Sequence, residues 1–237
     1  MTFNLNNKLD AAALGREYQK RGFIQVKDVL PNPAAGELHN CLAKDTPWGL
    51  FYFKDDTGER IPPEDFEKMP GDKQQEIFQF IFKTARDGYQ FMFFYHPVMQ
   101  NALAGLNPDF PLHHWFDFIN SEPLLDFVRN VTGIPEIVRA DAMATRFVGN
   151  CFLHCHRDHQ EGRTRRVAYV MNLTRDWNPN WGGYLQIFND KMNIEHSFKP
   201  AFNCLNMFTV PRDHSVSTVP PFCPGERLSL TGWFHEA

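Results

Sequence analysis

The sequence predicts an α+β chain that is mainly β, with helices in its first part supporting a C-terminal β-sandwich or barrel. Two observations carry this. Ser121-Glu-Pro-Leu-Leu-Asp-Phe-Val-Arg-Asn-Val-Thr-Gly133 has a Ser suited to cap, an early Pro, apolar residues at Leu124, Val128 and Val131, and a stopping Gly. From Ile134 onward the pattern changes to short apolar or alternating runs separated by Gly, Pro and Asn. The runs Ala144 to Phe152, Arg166 to Leu173, Gly183 to Phe188, Cys204 to Val210, Ser215 to Val219 and Arg227 to Phe234 all read as strands. With 43% hydrophobic residues and 23 Phe among 237 residues, the chain can bury a full core.

In the first third, apolar spacing around Leu14 and Tyr18 predicts a helix that ends at Arg21-Gly22 before the alternating run Phe23 to Val29. Pro31-Asn-Pro33 introduces a second helix carrying Leu38, Cys41 and Leu42 on one side. The stretch from Asp56 to Asp72 is rich in Pro, Gly and charge and reads as a surface loop or mobile lid. Lys73 to Ala85 resumes a helix. The expected organisation is a single domain over 1–237, with 1–133 as helical support and substrate-entry elements and 134–237 as the catalytic core.

A formal charge of -4 shows no basic excess of the kind nucleic-acid binding needs. Apolar runs such as Phe91 to Tyr95 are far shorter than a membrane span, and the first residues lack a basic start with an apolar core. The expectation is a cytoplasmic protein with neither membrane nor nucleic-acid partner. Five scattered cysteines read as reduced thiols, mostly buried.

The chemistry concentrates in Phe152-Leu-His-Cys-His-Arg-Asp-His159, read as the end of a strand. Residues two apart on a strand share a face, so His156 and Asp158 project together. With His214, from the segment after Phe208-Thr-Val-Pro-Arg-Asp, they would make two imidazoles and one carboxylate, a set that suits Fe(II) and leaves three positions open. Arg227 and Ser229 share a face and suit a carboxylate ligand. His154 shares parity with His156 and offers a shifted triad as the weaker option. His159 reads as a surface or outer-shell residue, and Arg163 and Arg165 as a solvated turn. Cys151 and Cys155 lack a second pair at zinc spacing and read as core thiols on the opposite face. His96, His113 and His114 read as packing and helix-entry residues. No Gly-x-Gly-x-x-Gly, phosphate loop, His-Glu-x-x-His or Gly-x-Ser-x-Gly is present.

The ordered set His156-x-Asp158, His214, Arg227-x-Ser229 and Gly232-Trp233-Phe234 resembles the 2-oxoglutarate and Fe(II) dependent dioxygenases. Arg166 to Phe188, with its Asp-Trp turn and Gly-Gly, looks like the prolyl-hydroxylase branch. The resemblance covers about residues 140 to 236. It implies a double-stranded β-helix, or jelly roll, with N-terminal supporting helices. His156, Asp158 and His214 would be both catalytic residues and metal ligands, Fe(II) the cofactor, and 2-oxoglutarate and O2 the co-substrates. Arg227 would pair the far carboxylate of 2-oxoglutarate, with Ser229 beside it, while Val170, Asn172 and Leu185 would line the co-substrate pocket. Asn172 departs from the Tyr frequent there in the branch. The retained Asp158 favours hydroxylation over halogenation.

On that resemblance the chain is expected to hydroxylate an amino-acid-like or peptidyl substrate, prolyl included, with decarboxylation of 2-oxoglutarate to succinate. Phe147 or Arg146 should face the substrate side, and the aromatic run Tyr89 to Tyr95 should shape substrate entry. Exposed edge strands or that run could also support a homodimer. Two alternatives stay open: a cupin-like metal-dependent isomerase or hydrolase, which would need neither Arg227 nor 2-oxoglutarate, and a non-catalytic jelly-roll binding module.

Overall fold

The computed structural model describes residues 3–158 and 164–237. The expectations for His159 and Arg163 lie outside the described residues. Asp10 starts α1 (Ala11–Arg21) by accepting a hydrogen bond from the Ala13 N–H at 2.9 Å, and Gly22, in left-handed backbone at φ 70°, ends it. α2 (Asn32–Asn40) follows its Pro start and runs into a short π-turn that buries Cys41 and Leu42. The remaining helices are α3 (Pro63–Lys68), α4 (Gly71–Asp87), α5 (Val98–Leu103), α6 (Pro111–Ile119) and α7 (Glu122–Thr132).

Helix α7 matches its sequence pattern at the packing level, with Leu124, Leu125, Phe127, Val128 and Val131 all buried. Burying one such side chain contributes about 1.5–3 kcal/mol, enough to hold the helix on the sheet. Its start differs from expectation. Ser121 does not cap; its hydroxyl donates to the Phe118 carbonyl at 2.7 Å, because α6 ends directly before it.

The strands form one 13-stranded antiparallel sheet that curls into a nearly closed barrel. The first four are β1 (Phe23–Lys27), β2 (Gly49–Lys54), β3 (Thr57–Ile61) and β4 (Phe91–His96). Next come β5 (Ile137–Ala140), β6 (Met143–Phe147), β7 (Phe152–His156) and β8 (Arg165–Leu173). The last five are β9 (Leu185–Phe188), β10 (Ile194–Phe198), β11 (Phe202–Thr209), β12 (His214–Val216) and β13 (Arg227–Glu236). The order is β1-β11-β8-β13-β6-β4-β7-β12-β9-β10, with the β2–β3 hairpin added beside β4 and β5 beside β13. This is the double-stranded β-helix.

Three sequence expectations are corrected here. The first part of the chain is more than helical support, since β1 to β4 enter the same sheet. Asp56 to Asp72 is not a loop: it holds β3, α3 and the start of α4, with Leu50 to Lys54 paired in register against Ile61 to Thr57. Its charged side chains are the exposed face of a hairpin, which in sequence looks like a loop. The predicted strand from Ala144 to Phe152 is two strands. The chain turns at Gly149-Asn150, where Asn150 takes φ 75°, so β6 pairs with β13 and β7 pairs with β12.

Strand parity divides the core. Outward residues of β8, β11 and β13, such as Tyr169, Met171, Leu205, Met207, Leu228 and Leu230, pack under α1, α2, α6 and α7. Inward residues of the same strands face the barrel. A second cluster joins Ile81 of α4 to Leu50, Phe93 and Phe152. Among the described residues no helix is long and apolar enough to cross a membrane.

Candidate metal centre

β7 and β12 lie side by side with His214 directly opposite His156, and the two rings are 4.2 Å apart between centroids. Each ring is fixed from behind. Nδ1 of His156 lies 2.9 Å from the His154 carbonyl, and Nδ1 of His214 lies 2.9 Å from the Arg212 carbonyl. A carbonyl oxygen only accepts, so Nδ1 carries the proton and Nε2 keeps its lone pair.

Both Nε2 atoms face Asp158, which sits in the turn just beyond β7. The distances are 3.4 Å from His156 to Oδ1 and 3.5 Å from His214 to Oδ2. One ligand atom from each of the three residues lies within 4.8 Å of the others. Burial opposes ionisation of Asp158, but the two imidazoles beside it and the Trp233 indole N–H outweigh it and hold the carboxyl at about 2. Burial also pushes His214 down to about 4, against the pull of Asp158. Near neutral pH the cluster therefore offers a carboxylate and a neutral imidazole, the protonation states that bind a cation. His154 turns away; its Nδ1 lies 3.1 Å from the Gly88 carbonyl.

The cluster opens into a cavity of about 910 Å³. Arg227, at the start of β13, reaches the cavity wall while only 2% exposed. Its Nη1 donates to Ser229 Oγ at 3.3 Å, its guanidinium lies 4.9 Å from the Phe147 ring, and its Nε has no hydrogen-bond partner among the described residues. Burial pushes its pKa down to about 10. Ser229 shares a 2.9 Å hydrogen bond with Thr145 of β6.

Val170, Leu185, Ser229 and Phe147 all border the cavity. Arg146 instead pairs with Glu226. Asn172 is buried opposite Ser229 in the β8–β13 register, off the cavity wall, and its Oδ1 has no partner among the described residues. Arg165, expected in a solvated turn, begins β8, borders the cavity and stacks 3.6 Å from the Trp233 ring centroid. Cys151 is fully buried, and Cys155 is half-exposed rather than a core thiol. Sequence reading gave no role to Thr145, and it placed Trp233 only within the Gly232-Trp233-Phe234 motif. Alternation along Tyr89 to Tyr95 was the available signal for the wall, because Tyr89, Phe91, Phe93 and Tyr95 all border the cavity.

One contact ties the two ligand-bearing segments together. Arg157, between His156 and Asp158, donates from Nε and Nη2 to Asp213 Oδ2 at 2.9 and 2.6 Å, and Asp213 precedes His214. The Arg157 side chain is 59% exposed, so the pair contributes about 1 kcal/mol or less to folding. Arg157→Ala is expected to leave the melting temperature nearly unchanged but to weaken divalent-metal binding a few-fold, and 1 M salt should shrink that difference. Calorimetric titration at low and high salt checks this; equal affinities at low salt would remove the staple from the account.

Two imidazoles and a carboxylate thus share one cavity of the double-stranded β-helix with a buried guanidinium. Residues 142–235 match the model of the 2OG-Fe(II) oxygenase superfamily. The matched segment is the one that holds His156, Asp158, His214 and Arg227, so the likeness to that superfamily falls on the residues of the cluster and the buried guanidinium. Prolyl 3-hydroxylase OGFOD1 of Xenopus laevis is 31% identical over 122 residues, covering 48% of this chain and 23% of the relative. The match thus spans under a quarter of that protein. A Pseudomonas putida prolyl-4-hydroxylase superposes with TM-score 0.57 at 17% identity, covering 100% of this chain and 95% of that one. A Trichoplax adhaerens prolyl hydroxylase, solved with a hypoxia inducible factor oxygen degradation domain peptide fragment, gives TM-score 0.64 at 12% identity, covering 95% and 89%. At these identities the two structures speak for the fold.

The residues present fit the family's metal and co-substrate. The donor set is two imidazoles and a carboxylate, a common Fe(II) environment. The guanidinium of Arg227 is buried beside it with no carboxylate partner among its described contacts, which suits a dianionic oxo acid.

Proposed function

We propose that this chain is an Fe(II) and 2-oxoglutarate dependent hydroxylase acting on a peptidyl substrate. His156, Asp158 and His214 are the metal ligands, and Arg227 with Ser229 anchors the far carboxylate of 2-oxoglutarate. The observation that carries the reading is the buried, carboxylate-free guanidinium on the same cavity wall as the three-residue cluster. A cupin-like isomerase would have no use for it.

When bound, Fe(II) with 2-oxoglutarate and O2 supplies the oxidising chemistry, and the oxo acid leaves as succinate and carbon dioxide. The chain's own residues orient and enclose. His154 and Arg212 carbonyls hold the ligand tautomers, and Thr145 orients the Ser229 hydroxyl beside the guanidinium. Val170 and Leu185 keep water from the co-substrate. Part of the wall is aromatic, with Phe51, Phe53, Tyr89, Phe91, Phe93 and Tyr95. A cavity of about 910 Å³ far exceeds a free amino acid, which favours a peptide segment laid along the rings. The peptide fragment bound in the Trichoplax structure and the prolyl 3-hydroxylase relatives favour the same class. The reading treats 1–237 as one oxygenase domain, supported by strands of both halves entering one sheet.

Anaerobic titration of the Fe(II)-loaded chain with 2-oxoglutarate tests this. The expected result is a visible metal-to-ligand charge-transfer band that saturates with one equivalent. Absence of the band under oxygen-free conditions would overturn the co-substrate assignment.

A further inference from the structure

We propose that Trp233 is a positioning residue for the metal centre: its indole N–H holds one oxygen of Asp158, so the carboxylate offers only the other to the ion. The proposal rests on the metal reading above and concerns a residue outside the ligand set. Trp233 Nε1 donates to Asp158 Oδ2 at 2.8 Å, the shortest contact that carboxylate makes with the three groups that touch it. Asp158 is 7% exposed, so water has little access to replace the donor. Oδ1 faces His156 and is the oxygen left for the ion.

Trp233 is itself fixed at two points, its backbone and its ring face. Its backbone N–H donates to Asp141 Oδ1 at 2.7 Å, while Asp141 Oδ2 lies 3.2 Å from His235 Nε2. Gly232 makes that approach possible, because a Cβ there would stand 2.3 Å from the Asp141 carbonyl oxygen and 2.4 Å from its Oδ1. The Arg165 guanidinium covers the ring face at 3.6 Å. A chain of contacts thus runs from His235 through Asp141 and Trp233 to Asp158.

The chemical consequence concerns coordination number. Two imidazoles and a one-oxygen carboxylate leave three positions on a six-coordinate ion, two for a chelating oxo acid and one for O2. A carboxylate free to bind through both oxygens would fill one of them. An outer hydrogen bond to a ligand also raises metal affinity, and its loss costs about 10–100-fold.

Trp233→Phe keeps the ring and its cover but removes the N–H. The test uses Co(II) as the probe, with affinity from titration and geometry from the visible absorption of the bound ion. We expect the variant to bind Co(II) about tenfold more weakly, with weaker visible bands as coordination number rises, while the metal-free protein melts close to wild type. In the wild type, with tryptophan labelled by ¹⁵N, the Trp233 indole N–H should exchange slowly and its resonance should shift when Zn(II) binds; this reading does not depend on how the variant folds. Matching Co(II) affinity and spectrum in the two proteins, or fast indole exchange in the wild type, would overturn the proposal alone. A wild type that binds no Co(II) would overturn the metal reading, and this inference with it.

Discussion

Arg227→Met is expected to weaken 2-oxoglutarate binding by at least about 30-fold while leaving Fe(II) bound, and to leave the co-substrate-free protein as stable as before or more so. The two directions have one cause. A guanidinium that is 2% exposed has left water, and among the described residues it recovers one hydrogen bond to Ser229 and the face of Phe147. Replacing a buried charge with an apolar side chain of similar length is often neutral or stabilising by about 1–4 kcal/mol. In the complex the balance reverses, because a carboxylate paired to a desolvated guanidinium is worth about 2 kcal/mol or more on truncation. The measurement is a pair of thermal melts with and without 2-oxoglutarate. Wild type should gain far more from the co-substrate than the variant. Equal gains would mean that the carboxylate binds elsewhere.

The second large effect concerns His214. His214→Ala should reduce divalent-metal binding below detection in a titration that saturates the wild type, with the fold intact by circular dichroism. It should also change the acid response of the metal-free protein. Burial lowers His214 to about 4 from its ordinary 6.5. Between those values the unfolded chain takes up a proton that the folded chain refuses, so stability falls as pH drops from about 6.5 toward 4. Above that window the group contributes no slope. Asp158, held at about 2 against an ordinary 3.8, adds stability that is present above 3.8 and lost as pH falls through 2. Urea melts from pH 7 to pH 4 should show a steeper slope in the wild type than in His214→Ala, where His96 and His113, also lowered by burial, still contribute. Parallel slopes would contradict the burial argument.

How much of this was legible in the sequence depends on sequence distance. The strands bearing His156, Val170, Leu185, His214 and Arg227 carry alternating apolar residues between turn-formers, and that pattern does not depend on what they pack against. Helix α7 is similarly local. The hairpin of β2 and β3 was missed because its outer strand, Thr57-Gly-Glu-Arg-Ile61, is polar and mostly exposed, and only pairing with Phe51 and its neighbours makes it a strand. The break at Gly149-Asn150 lies inside an apolar run, and the demand that β6 pair with β13 while β7 pairs with β12 is tertiary. For the site, residue types and order pointed to three residues that the structure brings within 4.8 Å. The Trp233 contact to Asp158 and the Thr145 contact to Ser229 link strands far apart in sequence, and no local pattern encodes them.

The placement of His214 opposite His156 bears on when the centre exists. β12 has three residues, held between β7 and β9, so few backbone bonds secure it. A cation gripping one imidazole from each strand would act as a rivet across a weak seam. Amide hydrogens of β12 should then exchange much faster in the metal-free chain, while those of β8 and β13 should hardly respond. The ion would arrive late in folding, after the long loop between the strands has closed, and would lock the seam against reopening.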